Sequence, residues 1–243
     1  MTILNMVWGG WWSQDVKNYL CFTANTAGST VKLNKYWSPT AVTLEISTDW
    51  KNRNTYTIWN TITLSNVWDK VYFRNTSETD TNFSTSTKNY YYFGLTWSIN
   101  ASWDVGFLLN KNSTKIASAF CFSFLFLSCS ALITAPEIPM TTINGYCFNR
   151  MFAGCSNLIT LPRIYATNYA NIYNVCSEMF SGCSKIKVSE TQTGDYQNEY
   201  RLPPNWSWTI GYNTFYVMFY RTWWTFTWTP NINTTYYTSN VVL

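Results

Sequence analysis

Apolar and polar positions alternate with period two through the first half of the chain. Val42-Thr43-Leu44-Glu45-Ile46 and Thr61-Ile62-Thr63-Leu64 show it most cleanly, and Lys70-Val71-Tyr72-Phe73 and Tyr90-Tyr91-Tyr92-Phe93 are further strand candidates. Turn-forming clusters of Asn, Asp, Ser and Thr separate these runs. Six to eight short strands at this spacing predict an antiparallel β-sandwich over residues 16–112. Near residues 110–118 the pattern changes. Apolar residues then recur at i, i+4, i+5 and i+8: Cys121, Leu125, Phe126, Cys129; Cys147, Met151, Phe152, Cys155; Val175, Met179, Phe180, Cys183. That spacing predicts a stripe on one face of a short helix, with Asn144 and Asn174 placed to cap two of the helices.

The blocks are an internal repeat, which governs the fold wherever it occurs. Leu125-Phe126-Leu127-Ser128-Cys129, Met151-Phe152-Ala153-Gly154-Cys155 and Met179-Phe180-Ser181-Gly182-Cys183 share spacing and residue type. Short extended segments follow, Leu132-Ile133-Thr134-Ala135-Pro136 and Leu158-Ile159-Thr160-Leu161-Pro162 in register, then Ile186-Lys187-Val188. A fainter fourth unit runs from Met218-Phe219 to Thr229-Pro230 after an insertion over about 190–214. One helix and one strand cannot bury their own apolar faces, whereas stacked copies can. The expected fold class is therefore α+β: a 1–15 linker, the 16–112 sandwich, and an α/β solenoid over 113–243 with units near 118–139, 144–165, 174–189 and 213–232.

The Met-Phe-x-Gly-Cys-x-x-Leu-x-x-x-Pro unit resembles the leucine-rich repeats of BspA-type bacterial surface proteins, over about residues 118 to 243. Tyr19-Leu20-Cys21-Phe22-Thr23-Ala24, Ile62-Thr63-Leu64-Ser65-Asn66 and Lys70-Val71-Tyr72-Phe73-Arg74-Asn75 are similar to the β-rich module often placed before such repeats. The resemblance implies a leucine-rich-repeat-like solenoid, display on a cell surface, and adhesion to protein or glycan ligands of a host or neighbouring cell. Some relatives occur on phage particles, so a virion receptor-binding component is the alternative.

Composition narrows the chemistry. Thr (34), Asn (26) and Ser (22) supply the polarity of the 243 residues, charged residues make up only 12%, and there is no histidine. The absence of histidine closes the Ser-His-Asp and Cys-His nucleophile systems, His-containing zinc sites and the usual neutral-pH general base. The net charge of +4 has no Lys/Arg cluster, which gives no nucleic-acid footprint. Met1 to Lys17 does not read as a secretory signal. Ile116 to Pro136 is uncharged and long enough to span a bilayer, but it holds four serines and the repeat accounts for it. No cofactor is expected.

Tryptophan is anomalous: there are fourteen, set among turn formers, as in Trp37-Ser38-Pro39, Asp49-Trp50-Lys51-Asn52, Val67-Trp68-Asp69, Ser102-Trp103-Asp104 and Asn205-Trp206-Ser207-Trp208. Trp223-Trp224 and Trp228 fall where the fourth unit turns. Turn chemistry asks for glycine there. Two readings stand: UGA codons that the source lineage reads as glycine, or genuine tryptophans forming a carbohydrate-stacking surface.

No catalytic or metal-ligating residues are nominated. Asp49, Asp69, Asp80 and Asp104 sit in expected turns, where Asp bonds its own backbone, and nothing pairs any two for glycoside hydrolysis. Glu78 and Asp80 lack a calcium-loop pattern. The seven cysteines contain no Cys-x-x-Cys, and Cys129, Cys155 and Cys183 read as one small buried residue per repeat. The ligand-facing candidates are Thr134, Glu137, Thr160 and Arg163, on the strand side of the stacked units.

Overall fold

The computed structural model describes residues 18–49, 51–113, 115, 117–162, 164–166, 169, 171–189, 198–199 and 213–225. Nine strands form the first part: β1 (Leu20–Ala24), β2 (Ser29–Tyr36), β3 (Leu44–Ser47), β4 (Asn54–Tyr56), β5 (Thr61–Leu64), β6 (Lys70–Asn75), β7 (Ser84–Ser86), β8 (Asn89–Leu95) and β9 (Ile99–Trp103). A 3-10 turn, Val105–Leu108, follows, capped by the Asp104 carboxylate accepting from the Gly106 N–H. Then come β10 (Leu132–Thr134), β11 (Lys187–Ser189), β12 (Asn198–Glu199) and β13 (Trp223–Thr225).

A six-stranded sheet has the order β10-β9-β1-β6-β3-β4, and a four-stranded sheet the order β5-β2-β8-β7. All pairings in them are antiparallel except β10 on β9. The two sheets meet face to face through aromatic rings. Phe22 of β1 lies 4.7 Å, centroid to centroid, from Phe93 of β8, and Phe73 of β6 lies 5.4 Å from the same ring. Edge-to-face contacts of this kind add to the area they bury. β1 is buried at every position, because its outer face is covered too: Tyr19, Cys21 and Tyr72 form a second small cluster with Trp103 against it.

The expected α+β architecture does not form. Among the described residues there is no α-helix and no α/β solenoid; the chain is strands and tight turns. Where helices were expected, residues 118–129, 144–155, 174–183 and 213–222 are ribbons of overlapping turns. Alternate N–H groups donate three residues back, as from Ser123 to Phe120, Leu125 to Phe122 and Leu127 to Phe124. The N–H groups between them donate to the next ribbon instead: Phe122 to Cys147, Phe124 to Asn149, Phe126 to Met151. The second ribbon repeats this on the third (Phe148 to Val175, Arg150 to Ser177, Phe152 to Met179), and the third on the fourth (Glu178 to Tyr216, Phe180 to Met218). From Cys121 to Cys129 and from Tyr146 to Cys155 every backbone N–H is thus satisfied, alternately within the ribbon and on the next one.

Each fourth residue has positive φ: Phe120, Phe124 and Ser128; Tyr146, Arg150 and Gly154; Asn174, Glu178 and Gly182; Asn213, Val217 and Arg221. That breaks an α-helix at every turn and gives the ribbon a period of four. An α-helix of period 3.6 drifts only about 40° from that per four residues. Over nine residues the spacing i, i+4, i+5, i+8 fits both, and it took the inter-repeat hydrogen bonds to choose between them. Asn144 and Asn174 consequently have no helix to cap; the Asn144 side chain donates to the Ala117 carbonyl.

The stacked ribbons continue the core of the strands. Phe126, Phe152, Phe180 and Phe219 lie in parallel rings 5.2 to 5.5 Å apart, and Phe93 of β8 stacks on the first of them at 5.5 Å. Beside this column, the thiols of Cys129, Cys155 and Cys183 donate to the carbonyls of Phe93, Phe126 and Phe152. Cys121, Leu125, Cys147, Met151 and Met179 are fully buried in the same core. All seven cysteines are free thiols.

Candidate functional site

The positive-φ columns of the ribbons have a consequence for the surface. Phe124, Arg150 and Glu178 occupy equivalent positions in successive ribbons, as do Tyr146, Asn174 and Asn213, and all six line one groove of about 540 Å³. Its wall is the end of the four-stranded sheet, through Tyr36 of β2 and Tyr90 of β8. Tyr90 lies between two rings, stacked on Phe124 at 4.5 Å and on Tyr36 at 5.1 Å. On the floor the Arg150 guanidinium donates to the Glu178 carboxylate at 2.6 Å. Asn149 and Ser177 add amide and hydroxyl groups between them.

Burial pushes the Tyr90 hydroxyl above its ordinary pKa, the neighbouring Tyr36 and Tyr92 hydroxyls push the same way, and Arg150 opposes them. The phenol therefore remains a neutral hydrogen-bond donor and acceptor at physiological pH. Stacked aromatic faces beside a paired charge and a few amides form a surface that holds ligands by ring contact and directional hydrogen bonds.

The carboxylates considered for catalysis are spent on local structure. Asp49 accepts from the Asn52 and Lys51 N–H groups at 2.8 and 3.0 Å. Those bonds, the one from Asn52 foremost, hold its pKa below the usual carboxylate value. Asp69 accepts from the Asn66 N–H at 2.8 Å, Asp80 from the Asn110 amide, and Glu78 pairs with Lys111. Asp104 is the exception in its pKa, which burial raises despite bonds from Ser113 and Gly106. It serves as the cap of the 3-10 turn and lies outside the groove.

The ligand-facing candidates fall elsewhere. The Thr134 hydroxyl donates to the Ala101 carbonyl at 3.0 Å, and the Thr160 hydroxyl accepts from the Ala135 N–H at 3.1 Å. Both therefore knit adjacent extended segments. Glu137 is exposed and bridges Asp104 through its backbone. Arg163 lies outside the described residues. None of the first three lines the groove, whose residues were missed because they belong to different ribbons and to a distant strand end. The signal available was the Tyr90-Tyr91-Tyr92 run, read only as a strand.

Among the described residues no group of three Cys, Asp or Glu side chains is placed to hold a metal ion, and no helix is long and apolar enough to cross a membrane. The uncharged stretch that was set aside as a span in favour of the repeat forms a ribbon of turns over 118–129. No protein-family model, curated protein or solved structure matches the chain.

Proposed function

We propose that this protein is a non-catalytic recognition protein that binds a glycan chain in the groove between the Tyr36–Tyr90 strand ends and the turn ribbons. The observation that carries the reading is the Tyr36–Tyr90–Phe124 stack set beside the Arg150–Glu178 pair. Sugar rings present apolar C–H faces to aromatic rings and hydroxyls to amides and charges, and the groove offers both within one volume. Its one acid–base pair is already joined, which leaves no free carboxylate couple across the groove among the described residues. The resemblance of the repeat unit to BspA-type proteins supports a place on a cell surface or a virion, where such a ligand is met.

The test is a glycan array probed with the protein and three variants. Tyr90→Ala and Arg150→Ala each lower binding at least tenfold, whereas Tyr173→Ala, at an exposed ring outside the groove, leaves it unchanged. Glycan binding that survives both groove substitutions, or no binding to any glycan, refutes the reading.

A further inference from the structure

Positive φ is uncommon outside glycine, and in the β module it falls on one residue type. Among the described residues of 18–112, positive φ occurs at Gly28, Trp37, Trp59, Trp68, Trp97 and Trp103. Every described tryptophan of this module is in that set. Large aromatic residues have no preference for the left-handed region, where their Cβ crowds the following carbonyl.

The turns make the equivalence sharper. Three of them are closed by the N–H of the fourth residue donating to the carbonyl of the first: Ser29 to Thr26, Asn60 to Thr57 and Asp69 to Asn66. Their third residues are Gly28 at φ 77°, Trp59 at 78° and Trp68 at 73°. Each third residue also donates its own N–H to a neighbouring strand, Gly28 to Leu64, Trp59 to Leu33 and Trp68 to Ala24. These are one turn used three times, of the type whose third position calls for glycine. The indole rings contribute little to it: Trp37, Trp68 and Trp97 are 66%, 70% and 71% exposed. Nor do they share a platform, since Trp37 lies beside Lys88, Trp59 under Lys32 and Trp103 on Tyr72. Composition agrees, for the chain has 10 glycines where an ordinary domain of this length, at about 7%, has roughly seventeen.

We propose that these positions are glycine in the protein as its native host makes it, each encoded by a UGA codon that the host decodes as glycine. A reassigned codon acts wherever it occurs, so the remaining tryptophan positions are included. The rings that line the groove are tyrosine and phenylalanine, with Trp37 only bordering Tyr36 at 6.5 Å, and this inference stands or falls separately from glycan binding.

Peptide mass spectrometry of the protein from its native source tests it. Cleavage after Lys and Arg yields segments 36–51, 54–70 and 89–111, which carry the tryptophan pairs 37 and 50, 59 and 68, and 97 and 103. The expected masses are those of glycine at all six positions, UGA stands at each codon, and the purified protein fluoresces as a tyrosine-only chain. A tryptophan mass at any of the six, or a UGG codon there, overturns the proposal.

Discussion

Seven buried thiols make the fold vulnerable to alkali. Burial raises the pKa of every cysteine: Cys129 and Cys183 are pushed up to about 12, and Cys21, Cys121, Cys147, Cys155 and Cys176 are raised as well. In the unfolded chain a thiol titrates near about 8.5. The folded state therefore holds more protons above that pH, and stability falls as pH rises. The thiol contribution is complete below about pH 8.5 and is lost progressively as pH climbs toward the folded values. At pH 9.5 each unfolded thiol gains about 1.4 kcal/mol from ionising. For the six thiols raised furthest, all but Cys21, this sums to on the order of 8 kcal/mol, against a total stability of about 5–15 kcal/mol for an ordinary domain.

Thermal melts followed by far-ultraviolet circular dichroism, in reductant and at intervals from pH 7 to pH 10, check this. The midpoint falls steeply above pH 8.5 and the fold is lost near pH 9.5 to 10. Thiolate absorbance rises together with unfolding rather than before it. A midpoint unchanged between pH 7 and pH 9.5, or thiolate absorbance growing at pH 8.5 in protein that is still folded, would refute the reasoning.

Removing one ring from the phenylalanine column, Phe152→Ala, leaves a void between Phe126 and Phe180 and costs about 3–5 kcal/mol. In a chain of this size that lowers the melting temperature by about 6–20 °C, read by calorimetry. In recombinant protein carrying the tryptophans, Trp59→Gly and Trp68→Gly each relieve about 1–2 kcal/mol of left-handed strain. Greater freedom of the unfolded chain returns about 0.5–1 kcal/mol of it. The double variant melts a few degrees higher, whereas Trp68→Ala, which keeps the strained φ of 73°, gives no such gain. Asp104→Ala removes the cap of the 3-10 turn and its Ser113 bond. It costs about 1–2 kcal/mol in chemical denaturation and leaves glycan binding unchanged.

The strands were legible because their signal is local. Alternation at Leu44-Glu45-Ile46 and Thr61-Ile62-Thr63-Leu64 marks β3 and β5, and Lys70 to Phe73 and Tyr90 to Phe93 lie within β6 and β8. The ribbons misread as helices show the limit of that signal. What distinguishes them is where the N–H groups of Phe122, Phe124 and Phe126 point, namely at Cys147, Asn149 and Met151, and a pairing between repeats leaves no mark on the spacing within one. The groove was illegible for the same reason. Arg150 and Glu178 are 28 residues apart, and Tyr90 reaches Phe124 only because the first ribbon packs against β8. That packing is fixed by the Phe93 N–H donating to the Leu125 carbonyl.

Ribbon and turn make different demands on residue type, and the difference separates two kinds of positive φ in this chain. In the ribbons the left-handed residue recurs every fourth position and is held by hydrogen bonds on both sides. Phe124, Arg150, Glu178 and Val217 occupy it beside Gly154 and Gly182, so the cumulative ladder carries the strain of a side chain there, as an over-determined backbone can. A side chain at these positions lines the groove at Phe124, Arg150 and Glu178, which gives the strain a use. An isolated turn has no such support. At Gly28 the site a Cβ would fill is open, with nothing within 4 Å, so glycine is there for its backbone freedom rather than for want of room. Trp59 and Trp68 share that backbone without sharing the freedom. Positive φ with a large side chain is thus explained by the ladder in one half of the molecule and left unexplained in the other, unless the residue there is glycine.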